Sequence, residues 1–143
     1  MTSILVIDNV KSNRQILEKI VETIDPDIAV SNFESAMAAF SWLDFHAADL
    51  VITAYKPPTL DGLEFARRLR GHNRSPQIPI LMIATTDDLA LPIFAREAGV
   101  TAFLSRPVDH EIVRSRIINL LSQQGKRRHL QLIVDNAQVR GQI

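Results

Sequence analysis

The sequence predicts a doubly wound α/β domain, a (βα)5 sandwich in which helices cover both faces of a central five-stranded parallel sheet. Three observations point there. Short apolar runs alternate with longer segments of helical periodicity. The runs are mostly apolar throughout rather than at every second residue, as strands buried on both faces require. Asp8, Ala54, Thr85 and Arg106 lie at the carboxyl ends of these runs, where such folds place their ligand chemistry.

Ile4 to Ile7 is the first run, ending at Asp8. Ser12 to Ile24 carries Ile16, Leu17, Ile20, Val21 and Ile24 at helical spacing, and Asp25-Pro26-Asp27 stops it, because a residue before proline avoids helical geometry. Ile28 to Phe33 reads as a strand, more polar and so nearer a sheet edge. Ser35 to Phe45 reads as a helix and Asp49 to Thr53 as a strand. A loop from Ala54 to Gly62 follows, then a helix from Leu63 to Leu69 and a polar loop from Gly71 to Pro79. Ile80 to Ala84 is a further buried strand. The next helix has Asp87-Asp88 as its expected cap, Pro92 in its first turn and Gly99 as its left-handed stop. Thr101 to Leu104 is the last strand, and Ser105-Arg106-Pro107 leads into a helix with Asp109 near its start. Right-handed crossovers join such a sheet.

At 143 residues and 46% hydrophobic, the chain suits one core. Residues 1–121 form the expected domain, and 122–143 a C-terminal helical extension or linker. There Lys126-Arg127-Arg128 precedes Leu130, Ile133, Val134 and Ala137 at helical spacing. This is either a long last helix or one broken near Gly125, and its apolar stripe calls for a partner or folds back on its own domain. Sixteen basic and sixteen acidic residues cancel, which removes the electrostatic case for nucleic acid or an anionic membrane. No cysteine is present, so disulfides and thiolate sites are excluded. No run approaches the ~20 apolar residues of a membrane helix, no signal-peptide pattern opens the chain, and a cytoplasmic setting is expected. His46, His72, His110 and His129 show no metal-ligand spacing. No glycine-rich loop follows the first strand, which argues against dinucleotide or P-loop binding.

Four segments carry a family resemblance. Ile4-Leu5-Val6-Ile7-Asp8-Asn9 resembles the first strand and acidic pair of bacterial response-regulator receiver domains, which are CheY-like and have a flavodoxin-like fold. The segment from Asp49 to Gly62 resembles their phosphoacceptor strand and loop, Ile80 to Thr85 their fourth strand, and Ala98 to Pro107 their fifth strand with its Lys-Pro corner. The likeness runs from about Ser3 to Leu121. It implies a module of two-component phosphorelay signalling, not an enzyme. It also implies that the phosphoacceptor position is held by Ala54, which has no nucleophile to phosphorylate. The metal pocket becomes Asp8, Asn9 and the Lys56 carbonyl, the switch positions Thr85 and Phe103, and the phosphate-pairing position Arg106.

These departures imply a pseudo-receiver that works through protein contacts, with no cofactor or at most weak magnesium at Asp8. Arg106, a rigid fork matched to a carboxylate, is expected to pair with Asp8 directly. Thr53 and Tyr55 are not expected to replace Ala54, nor is Thr86. The resemblance puts the partner face on the fourth helix, fifth strand and fifth helix, with Arg96, Glu97, Phe103, Arg114 and Arg116 as candidates. Partners would be a sensor kinase, a phosphotransfer protein or an output domain, and the C-terminal helix would serve a homodimer. Two alternatives stay open. One is an ordinary phosphoacceptor receiver inactivated by an engineered Asp-to-Ala change at Ala54. The other is a small-ligand or nucleotide-binding α/β module using the strand-end crevice.

Overall fold

The computed structural model describes residues 2–55, 61–71, 77–85 and 87–141, with the backbone alone for 61 and 126–141. Five strands alternate with five helices: β1 Ser3–Ile7, α1 Lys11–Ile24, β2 Ala29–Phe33, α2 Ala36–Leu43, β3 Leu50–Tyr55, α3 Asp61–Arg70, β4 Ile80–Ala84, α4 Leu91–Glu97, β5 Ala102–Ser105 and α5 His110–Gly141. All strand pairs are parallel, in the order β2-β1-β3-β4-β5. The more polar β2 is an edge strand, as its composition requires.

Strand alternation divides the core into two layers. Leu5, Ile7, Val51, Ile80, Met82 and Ala84 face the side of the sheet covered by α2, α3 and α4. Ile4, Val6, Leu50, Ile52, Leu81 and Ile83 face the side covered by α1 and α5. β1 and β4 each have four or more fully buried residues in a row, which is why their sequences show no polar alternation.

Two boundaries that differ from the sequence reading bear on the site, and α5 takes the first of its two expected forms, one long helix. β3 runs on through Ala54 and Tyr55, which keep pairing with Ile83 and Ala84 of β4. α3 starts at Asp61, so Gly62 lies in a helix rather than a loop. A Cβ on Gly62 would sit 2.8 Å from the Ala54 carbonyl oxygen, so glycine lets α3 approach the end of β3. α5 passes through Gly125 without a break and runs for 32 residues, about 48 Å at the usual helical rise.

Local signals hold at several ends. The Ser35 hydroxyl accepts the Ala38 N–H at the start of α2, and the Asp109 carboxylate accepts the Glu111 N–H at 2.7 Å before α5. Asp88 accepts the Ala90 N–H and so shapes the turn ahead of α4, while the N-cap itself is Ala90. Gly99 has a φ of +100° and ends α4 in the left-handed region.

The amino-terminal edge of the sheet is tied by polar groups. Arg70, at the end of α3, donates to the carbonyls of Ile78 and Gly99, and to the Thr101 hydroxyl. That hydroxyl in turn accepts the Ile80 N–H at 3.0 Å. On the other side of the sheet's middle, buried Asp49 accepts the Ser3 N–H at 2.8 Å while its own N–H reaches the Ser3 carbonyl. Arg70→Met keeps much of the side-chain volume and removes the charged donors. It is expected to cost about 2–4 kcal/mol, read as a lower urea midpoint with an unchanged slope.

Candidate functional site

Three residues extend the parallel ladders just past the strands. The Asp8 N–H donates to Phe33 O, the Thr85 N–H to Tyr55 O, and the Arg106 N–H to Ala84 O. The alternation of β1, β3, β4 and β5 therefore carries into the carboxyl-end loops. It puts Asp8, Ala54, Thr85 and Arg106 on the α1/α5 side, following Val6, Ile52, Ile83 and Leu104. Four positions distant in sequence thus share one corner of the sheet.

Asp8 is the buried charge of this corner, 4% exposed. Its Oδ1 accepts the Val10 N–H at 2.8 Å, and its carbonyl accepts from Arg14 at 2.6 Å. Its Oδ2 lies 3.5 Å from Nη2 of Arg106. This is ion-pair distance without hydrogen-bond geometry, and Oδ2 has no hydrogen-bond partner among the described residues. The expected pairing of Arg106 with Asp8 is thus present in a loose form.

Asn9 is exposed, Ala54 half-buried, and Thr85 exposed. Lys56 and Thr86 lie outside the described residues. Tyr55 and Thr53 do not stand in for Ala54. Tyr55 packs into the opposite core layer, and the Thr53 hydroxyl faces Gly62 of α3. Thr85 and Phe103 are not brought together either. Phe103 packs on the α2–α4 layer, where the last β4 residue is Ala84, while Thr85 stands on the α1/α5 side beside Arg106. The Arg106–Pro107 peptide is cis.

Among the described residues, the donors at this corner do not suit a divalent cation. Asp8 already uses one oxygen on a backbone N–H and turns the other to a guanidinium, Ala54 contributes a methyl, and Asn9 points to the surface. Magnesium asks for octahedral oxygen ligands and its sites usually supply carboxylates. Among the described residues, no group of three or more His, Cys, Asp or Glu side chains could hold a metal ion.

Sequence reasoning missed Arg14, which braces the Asp8 carbonyl and lies 3.7 Å from Glu34. Nothing in helical spacing marks an arginine as reaching back six residues. Arg114, a candidate for the partner face, instead bonds the Thr23 hydroxyl and carbonyl on α1.

The family model of the response regulator receiver domain matches residues 4–118. The chain belongs to the response-regulator receiver family. As a receiver it is a two-component signalling module. It is 37% identical over 135 residues to the "Cyclic di-GMP phosphodiesterase response regulator RpfG" of Xanthomonas campestris, a match covering 91% of this receiver but only 36% of RpfG. The chemotaxis protein CheY1 of Helicobacter pylori strain J99 is 28% identical over 115 residues, covering 80% of this receiver and 92% of CheY1. The receiver domain of a histidine kinase from Syntrophus aciditrophicus superposes with a TM-score of 0.76 at 22% identity, over 86% of this chain and 92% of that one, a likeness of fold. No helix among the receiver's described residues is long and apolar enough to cross a membrane.

The ion pair makes a double-mutant prediction. Arg106→Met leaves the Asp8 carboxylate buried without its counter-charge and is expected to cost about 1–3 kcal/mol, the exposed guanidinium edge reducing the effect. Asp8→Asn with Arg106→Met should recover part of that loss in urea unfolding. Simple additivity of the two single changes would show that no coupling exists.

Proposed function

We propose that this receiver signals without aspartyl phosphate, through binding of protein partners. The observation that carries the reading is the corner itself: a methyl group at Ala54, with Arg106 turned onto Asp8 at 3.5 Å. Covalent phosphoryl transfer needs a nucleophile in place, and a guanidinium already facing the pocket's carboxylate removes the need for a metal ion. Magnesium binds weakly at most. Ala54 thus marks a pseudo-receiver, with Asp8, Asn9, Thr85 and Arg106 as its remnant pocket.

The partner face is α4, β5 and α5. On α4, Ile93 is 62% and Phe94 50% exposed, and on α5 Ile112 is 50% exposed. Arg96, Glu97 and Arg116 flank them as exposed charges. Apolar anchors within a charged rim suit a protein partner: a sensor kinase, a phosphotransfer protein or an output domain. The extended α5 joins two copies of the chain, and the setting is cytoplasmic. Partner binding acts by shifting a population of states.

Acetyl phosphate with magnesium tests the reading by intact-mass spectrometry. The unaltered chain is expected to give no labile phosphoryl adduct, and an adduct on it would overturn the proposal. Folded Ala54→Asp is also expected to give none, because Arg106 occupies the pocket. An adduct on that variant alone would mean an intact phosphorylation pocket missing only its nucleophile. Sedimentation of the full chain against one ending at residue 125 should show a dimer only with the tail present.

A further inference from the structure

A cleft of about 520 Å³ opens between α1 and the β5–α5 corner. Its walls are mostly apolar, formed by Ile16, Leu17 and Ile20 of α1 with Ile83 and Val113, and Asn13, Thr85, Arg106 and His110 supply its polar groups. Ile16 remains 40% exposed, so the core does not use this wall fully. Concave apolar sites with a few placed polar groups, on the scale of a few hundred cubic ångströms, are what small ligands occupy.

The charge at its mouth is unevenly shared. The Asp8 side chain is 3% exposed and that of Arg106 27% exposed, so the cleft meets the cation and not the carboxylate. Among the described residues the Arg106 side chain makes no hydrogen bond, and its one ion pair is the 3.5 Å approach to Asp8. A guanidinium offers five N–H donors in a planar fork, so most of its donor capacity is unspent.

We propose that this cleft binds a small amphiphilic monoanion: a carboxylate on a compact aromatic or branched aliphatic body. The carboxylate pairs with Arg106, and the body lies between Ile16, Ile20 and Val113. One guanidinium, already shared with Asp8, suits one negative charge better than a phosphate dianion, and beside it Asn13, Thr85 and His110 are few partners for a nucleotide's sugar and phosphates. Such a ligand competes with Asp8 for Arg106 and loosens the pair. The site goes beyond the phosphorylation-independent reading and does not depend on it, and its test involves no phosphoryl donor.

The experiment titrates the full-length chain with 3-phenylpropionate and, separately, with 3-phenylpropanamide and inorganic phosphate, following amide NMR shifts. The acid is expected to give saturable shifts at Ile16, Ile20, Val113 and Arg106, with the neutral amide weaker by about tenfold or more. Arg106→Gln should weaken the acid by a similar factor and leave the amide unchanged. Ile16→Glu, at an exposed position that the fold tolerates, should abolish acid binding while circular dichroism stays unaltered. Equal binding of acid and amide, shifts confined to another surface, no saturable shift, or phosphate reproducing the same shifts would each overturn the proposal.

Discussion

A parallel sheet covered on both faces leaves its polar groups one place to meet, the ends of its strands. That constraint orders most of this molecule. β1, β3 and β4 are sealed between two helical layers, so every ionisable group near the middle of the sheet is pushed to one edge or the other. At the carboxyl edge the strict two-residue alternation decides which side each group takes. It gathers Asp8, Ala54 and Arg106 on the α1/α5 side and sends Tyr55 and Phe103 to the other. The site is a by-product of strand register before it is anything chemical.

Within that corner, an ion pair faces the buried charge. A buried carboxylate requires a counter-charge. Where several carboxylates meet, a divalent ion can supply it; a single carboxylate can be met by a guanidinium. Arg106 meets the requirement while keeping part of its donor fork facing the cleft, so one side chain links the strand-end pocket with the space between α1 and α5. Any event that draws Arg106 outwards changes the environment of Asp8, and through the Val10 N–H and the Arg14 brace it reaches the start of α1.

The order of elements was legible because each strand is a short apolar run and each helix shows its own period. The stop of α4 at Gly99 and the cap at Asp109 were legible for the same local reasons. What could not be read depends on distance in sequence. Whether Thr85 shares a face with Phe103 turns on the β4–β5 register, which pairs Met82 with Phe103 and leaves Ala84 on that side. Arg114 stands on a helix with neighbours on two sides, and periodicity cannot say which it will choose. It took Thr23 on α1. Arg70 has no sequence signature, since its partners are mostly backbone carbonyls, one of them 29 residues away. β3 outran its expected end because β4 supplied partners for two more residues.

The ties at the amino-terminal edge have a consequence for how such a molecule changes over evolutionary time. Arg70, Thr101, Asp49 and Ser3 fasten the strands at the edge away from the site. Foldability is thereby vested in one rim of the sheet, and the opposite rim is released from that duty. Exposed residues at that rim, such as Asn9 and Thr85, carry none of these ties. A lineage built this way can vary its strand-end residues while the ties that hold the strands together stay in place.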